Sequence, residues 1–252
     1  MLNLYGVRAM VLNSRPMRDA DRVLTLYSRE KGKIRAVAHG VSKPTSRKRG
    51  AVQPFCFSDF MLRRGRELDT VSQCEGLEIF PGLWGDLEKM GYAAHVSELV
   101  EVLTAEGEPN PEVFDLLLDT LRRLESAGDP DLVIRSFELR LVSLLGYRPH
   151  LDSCVNCGNE SLSPAAAFSA ENGGLVCSNC LTGAGDGLCG GETMAVMKLL
   201  LNGEPVKLER LRVSARSRDE MRRVMKKYLQ WLTEKRSHSM RFLESVAEYL
   251  EK

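Results

Sequence analysis

Four of the chain's seven cysteines form two C-x-x-C pairs, Cys154-Val-Asn-Cys157 and Cys177-Ser-Asn-Cys180, separated by 19 residues. Two residues between thiolates let one tight turn present both sulfurs to a single ion. Two such knuckles complete a tetrahedron with metal–sulfur distances of about 2.3 Å. The spacing falls in the window of four-cysteine zinc sites. Gly158 and the Gly173-Gly174 pair put permissive backbone beside the first knuckle and ahead of the second. Four protein thiolates leave no open coordination position, so the expected chemistry is structural: one Zn2+ per chain on Cys154, Cys157, Cys177 and Cys180.

A redox pair would need only one such motif, placed after a strand of a βαβ unit. Cys56, Cys74 and Cys189 have no partner in sequence and read as small core fillers, Cys189 being the one spare near the cluster. Catalytic motifs are missing. The chain has no phosphate-binding G-x-x-x-x-G-K-[ST], no H-E-x-x-H and no G-x-S-x-G. Its four histidines, His39, His95, His150 and His238, are scattered, and His95 reads as a structural residue beside a helical stripe. Gly185-Asp-Gly-Leu-Cys-Gly190 matches G-x-G-x-x-G but follows a knuckle instead of a strand, so it reads as an exit loop and not a dinucleotide site. No enzymatic activity is expected.

The second chemistry is electrostatic. Arg8, Arg15, Arg18, Arg22, Arg35, Lys43, Arg47, Lys48, Arg49, Arg63 and Arg64 all fall in the first 80 residues, densest at Lys43-Pro-Thr-Ser-Arg-Lys-Arg-Gly50. A flexible basic loop on a small barrel can follow a phosphate backbone while staying indifferent to base sequence. Tyr5, Tyr27, Phe55, Phe57 and Phe60 could stack on bases, although strand aromatics more often pack a core.

The elements that must position these groups follow from length and pattern. A chain of 252 residues, 43% hydrophobic and 27% charged, is an ordinary globular sequence with material for a proper core. No apolar run approaches the roughly 20 residues of a membrane span. The N-terminus carries Arg8 inside its apolar stretch and lacks a basic leader, so a cytoplasmic location is expected. The formal charge of +1 hides segregation: residues 1–80 carry +7, 81–150 carry −7, and 151–252 carry +1. The acidic block is either a solvated helix surface, a screen against nucleic acid, or a site for a basic partner.

Short alternating runs at Leu4–Leu12, Arg22–Tyr27, Lys33–Val41, Phe55–Leu62 and Asp69–Ile79, with turn signals such as Glu30-Lys-Gly32 and Arg64-Gly-Arg66 between them, predict five strands. That count suits a partly open OB-type barrel. From about residue 86 the period turns helical. Helices are expected after Asn110-Pro111 and Asp129-Pro130, the latter stopping at Gly146, and near 191–202, 217–235 and 240–250. Ser217 and Glu220 have capping-box spacing. The expected fold is α+β: an OB-type nucleic-acid-binding domain over 1–80, then an all-helical domain over 81–252 with a zinc insert at about 150–190.

Together these stretches resemble the RecO family of bacterial DNA repair proteins. The resemblance rests on Arg18-Asp-Ala-Asp-Arg22-Val-Leu-Thr-Leu-Tyr27, Lys31 to Lys43, Ser46-Arg-Lys-Arg-Gly50, Gln53-Pro-Phe55, Leu145-Gly-Tyr-Arg-Pro149, and Phe168 to Gly174 running into Cys177. It spans essentially the whole chain. It implies an OB-fold, a helical domain with a structural zinc module, and binding of single- and double-stranded DNA with annealing of complementary strands. It also implies work with RecR, and RecF in many bacteria, to load RecA onto strands coated by single-strand-binding protein, whose C-terminal tail is a further partner, and a nucleoid-associated location. Three other readings compete. One is an RNA- or ribosome-associated OB protein with a zinc ribbon. Another is a nucleotidyltransferase of the NAD-dependent ligase kind, disfavoured because no K-x-D-G motif occurs. The third is a protein-interaction adaptor whose basic face serves solubility.

Overall fold

The computed structural model describes residues 3–162, 165–181, 187–202, 208 and 210–233. It divides into two compact units, Met1–Ser126 and Ala127–Ser237, described in turn.

The first unit is built on a closed barrel of β1 (Leu4–Pro16), β2 (Arg22–Ser28), β3 (Gly32–Ala38), β4 (Phe57–Arg63) and β5 (Asp69–Glu78), in the order β1-β2-β3-β5-β4. Every pairing is antiparallel except β3 with β5, where Ala36 faces Asp69 and Val37 faces Thr70. Closure through that one parallel contact makes the OB topology. All five predicted strands are present, with ends shifted by a few residues. The period-2 pattern aims Val7, Ala9, Val11, Leu24, Leu26, Ile34, Ala36, Phe60 and Leu62 into the barrel. Small alanines beside Phe60 suit a narrow interior.

Helices α1 (Pro81–Trp84), α2 (Leu87–Leu103) and α3 (Pro111–Ser126) follow. Asp86 caps α2 by accepting from the Glu88 and Lys89 amides, and Asn110 caps α3 through the Val113 amide at 3.1 Å. Both helices bind the outside of the barrel. Phe57 meets Phe114 at 5.7 Å between centroids, and Arg29 makes a paired contact with Asp115 at 3.0–3.1 Å. Glu101 accepts from Asn13 and Thr25, and Lys33 donates to the Glu101 and Thr104 carbonyls at the end of α2. Met10, Leu12 and Tyr27 are therefore buried although they alternate with the barrel's inward residues. Gly32 turns the chain at φ +63°, and a Cβ there would lie 2.1 Å from the Glu108 carbonyl oxygen.

The second unit holds α4 (Pro130–Leu144), a three-stranded sheet of β6 (Ala165–Ser169), β7 (Gly174–Val176) and β8 (Gly187–Gly190), then α5 (Gly191–Asn202) and α6 (Ala215–Thr233). Asp129 caps α4, and Gly146 ends it at φ +89°. The sheet lay outside the sequence expectation, and Gly187–Gly190, read as an exit loop, is its edge strand β8. The helix expected over 240–250 lies outside the described residues. Phe168 of β6 packs edge-on against Tyr228 of α6 at 5.3 Å.

The predicted Ser217–Glu220 capping box is not formed. Ser214 caps α6 instead, accepting from the Ser217 amide at 3.2 Å. Ser217 donates to Glu192. Glu220 is buried and accepts from the Gly190 amide (2.8 Å), the Thr193 hydroxyl (2.6 Å) and Arg216 Nε (2.9 Å), pinning β8 and α5 to α6. A second buried charge group joins Arg135 to Glu138 at 2.6 Å within α4.

Gly32→Ala should cost about 2–3 kcal/mol through its positive φ and backbone clash, read by urea denaturation of the full chain. Burial opposes ionisation of Glu220, but its three donors win and hold the carboxyl below the usual 4.5. Its contribution is thus complete above pH 4.5 and disappears as pH falls through the lower folded value. Glu220→Gln should lower stability at pH 7 by about 1–3 kcal/mol. The gap to the parent chain should close as denaturation is repeated at acid pH.

Candidate nucleic-acid interface and metal centre

The four cysteines of the two knuckles converge: their sulfurs all lie within 4.8 Å of one another. Cys157 Sγ and Cys177 Sγ are 3.7 Å apart, against about 3.8 Å for neighbouring sulfurs of a tetrahedron with 2.3 Å bonds. The local chain supports this. The Gly158 amide donates to the Cys154 carbonyl at 2.8 Å with φ +73°, and the Cys180 amide donates to Cys177. Val155 donates to Leu175, and Leu175 to His150, so the first knuckle is stitched to β7. Gly174 is obligatory at that seam, since a Cβ would lie 2.6 Å from the His150 carbonyl.

Burial alone would raise the Cys154 thiol, but the amides of Cys177, Cys157 and Asn156 outweigh it and hold it at about 6. Cys180, surrounded by the other sulfurs, is pushed up to about 12. The donor set fits a tetrahedral, thiophilic metal ion. Cys189 stays outside the cluster, buried in β8, where burial raises its thiol to about 12; Cys56 is likewise buried, at about 11.

Six of the eleven predicted basic residues fall into two groups on the barrel. The first borders a cleft of about 550 Å³ between the β2–β3 turn, the β4–β5 loop and residues 106–109. Arg35 and Arg64 line it, together with Lys31 and Arg66, which the sequence pattern places in turns, Lys33, which it places at the start of a strand, and the carboxylates of Glu30, Glu67, Asp69 and Glu106. Tyr5 stands at its edge. Lys31 Nζ lies 5.1 Å and the Arg64 guanidinium 5.6 Å from its ring centre. Its hydroxyl donates to Asp69, and burial followed by that carboxylate pushes the phenol up, so it remains a donor. Of the five aromatics considered, Tyr27, Phe55 and Phe60 are buried and Phe57 packs on Phe114. Tyr5 is half-buried against the barrel core and lines the cleft.

The second group is the segment between β3 and β4. It is wound into successive turns: amides of Lys43, Ser46, Arg49, Gln53 and Cys56 each donate three residues back. Val41, Ala51, Val52 and Phe55 anchor it in the core, and Phe55 takes φ +68°. Lys43, Arg47 and Arg49 are left exposed. Lys48 is not. Its ammonium donates to the Ser72 carbonyl at 2.6 Å and clips the segment to β5. Arg22 is similarly used, donating to Ser14 at 2.7 Å. Arg8, Arg15, Arg18 and Arg63 are exposed outside both groups, Arg8 beside Asp59 at 3.7 Å and Arg15 beside Glu101 at 3.9 Å.

An OB barrel bearing exposed cations, followed by a unit of helices and a small sheet that carries a four-thiol cluster, defines a class of barrel-and-knuckle proteins. The comparisons with known proteins narrow it. The family model described as "Recombination protein O N terminal" matches residues 1–80, and "Recombination protein O C terminal" matches 85–241. A protein of Pelotomaculum thermopropionicum named DNA repair protein RecO is 50% identical over 248 residues, covering 98% of this chain and 96% of its own. Proteins of the same name from Desulforamulus reducens and Desulforudis audaxviator are each 41% identical, covering 97% and 96% of this chain, and 96% and 97% of their own. The chain belongs to the recombination protein O family of DNA repair and recombination proteins. Among the described residues no helix is long and apolar enough to cross a membrane.

Metal analysis of the purified chain by mass spectrometry should find one thiophilic ion per chain. Cys177→Ser should lose it and melt at lower temperature by circular dichroism. A metal-free parent chain of equal stability would contradict the four-thiol assignment.

Proposed function

We propose that this chain is a non-catalytic recombination mediator that binds single- and double-stranded DNA through the barrel of residues 1–80 and anneals complementary strands. With RecR, and with RecF, it helps load RecA onto strands coated by single-strand-binding protein, and it contacts the tail of that protein. Its four cysteines hold one structural Zn2+, which supplies cross-linking and no chemistry. The setting is cytoplasmic, on the nucleoid.

The observation that carries the DNA reading is the cleft at Tyr5. Lys31 and Arg64 lie over a ring that Asp69 holds in place, so an arriving strand meets two phosphate-seeking cations with an aromatic face beneath them. That pairing suits single strands of any sequence. The exposed Lys43, Arg47 and Arg49 extend the cationic surface along the barrel without base-reading groups. Family membership supports the repair role, and the two features together favour backbone contact over readout of bases.

Because Lys48 clips its segment to β5, the sharper test is the pair Arg47→Glu and Arg49→Glu in the full chain. Affinity for a single strand at low salt should fall by about tenfold, and the slope of log K against log salt should drop by about 1.4, two single-strand contacts at 0.7 each. Fluorescence anisotropy titrations at several salt concentrations measure both. An unchanged slope removes these residues from the interface.

A further inference from the structure

We propose that the outward face of α6 is a second strand-binding surface, so that one chain holds two single strands at once. This rests on the DNA-binding reading above and adds to it the element that annealing requires: a place for the second strand on an element that is not part of the barrel.

Helix α6 carries six cations, Arg216, Arg218, Arg222, Arg223, Lys226 and Lys227, against Asp219 and Glu220. The structure sorts them. Arg218 is committed to Asp129 at 2.5 and 2.9 Å, and Arg222 sits 3.5 Å from Asp131 and 3.6 Å from Asp219. Glu220 is turned inward to Gly190 and Thr193, its other oxygen pairing with Arg216. Arg216, Arg223 and Lys227 remain outside. Their spacing of seven and four residues stacks them within about 20° of one line along the helix, over about 16 Å. Arg216 touches Glu220 yet keeps 80% of its side chain in solvent. One turn beyond Lys227 stands Trp231, 48% exposed.

A line of cations ending in an exposed aromatic ring combines phosphate attraction with a base-stacking face. The inner face makes the line rigid. Met221, Val224, Met225, Tyr228 and Leu229 are buried, and Tyr228 donates to the Tyr147 carbonyl at 2.9 Å. The stripe is thus held in place before any ligand arrives. Block sums conceal it because acidic residues elsewhere in 151–252 cancel it to +1.

The test uses the full chain with Arg223→Glu and Lys227→Glu, leaving Arg216 to hold Glu220. Native mass spectrometry with a short oligo-dT should show two strands on the parent chain and one on this variant, and also one on Arg47→Glu/Arg49→Glu. The α6 variant should keep its affinity for the first strand within about twofold while annealing of complementary strands slows by about tenfold or more. The chain has two tryptophans, so Trp84→Phe leaves Trp231 as sole reporter. Oligo-dT should quench its fluorescence, and the α6 charge reversal should abolish the quenching. Unaltered metal content and melting temperature establish that the variant folds. Two strands on the α6 variant, or one strand on the parent without quenching at Trp231, overturns the proposal while leaving the barrel reading intact. No strand on the parent chain overturns both.

Discussion

From Ala9 to Leu12 four consecutive side chains of β1 are buried, which no strand with one wet face would allow. Val7, Ala9 and Val11 fill the barrel, while Met10 and Leu12 lie on its outside, where α2 and α3 attach. The same strand pairs with β2 on one edge and β4 on the other, and shifts register between Val11 and Asn13 so that the sheet can curl shut. The Val11 amide and carbonyl also bind Cys56 and Phe55, returning the basic segment to the barrel. Closure, helix docking and the path of Lys43–Arg49 all pass through this one doubly buried strand.

Docking of the helices changes what the charge pattern means. By sequence block the barrel carries +7 and the next stretch −7; taken over residues 1–126, 18 cations meet 18 anions. Part of that balance is contact: Asp115 with Arg29, Glu101 with Arg15, and Glu78 with Arg122. With no net charge over the unit, attraction for a polyanion acts at short range, at the exposed cations themselves.

Much of this was legible in the sequence because local rules decided it. Period-2 runs and their turns placed five strands, and Asn110-Pro111, Asp129-Pro130 and Gly146 marked helix ends that the structure keeps. The four cysteines converge as their spacing implies. What escaped depended on tertiary partners. Three-residue strands such as β7 carry too little pattern to see. Glu220 has the spacing of a capping residue, yet the amide of Gly190, thirty positions away, competes for its carboxylate and wins. Arg135 on α4 is buried against Glu138, a pairing no sequence pattern announces. Lys48 differs from Arg47 and Arg49 only through the carbonyls of β5, which no local pattern reveals.

The turns between β3 and β4 satisfy their own amides every three or four residues and hang from four buried side chains. Its path is consequently indifferent to what its outward positions carry. Substitutions at Lys43, Arg47 and Arg49 can accumulate without refolding anything, and each changes the local potential by one increment. A lineage could therefore tune how firmly the barrel holds a polyanion, residue by residue, while the scaffold beneath stays fixed. Separating shape from strength in this way turns an irregular stretch into a dial.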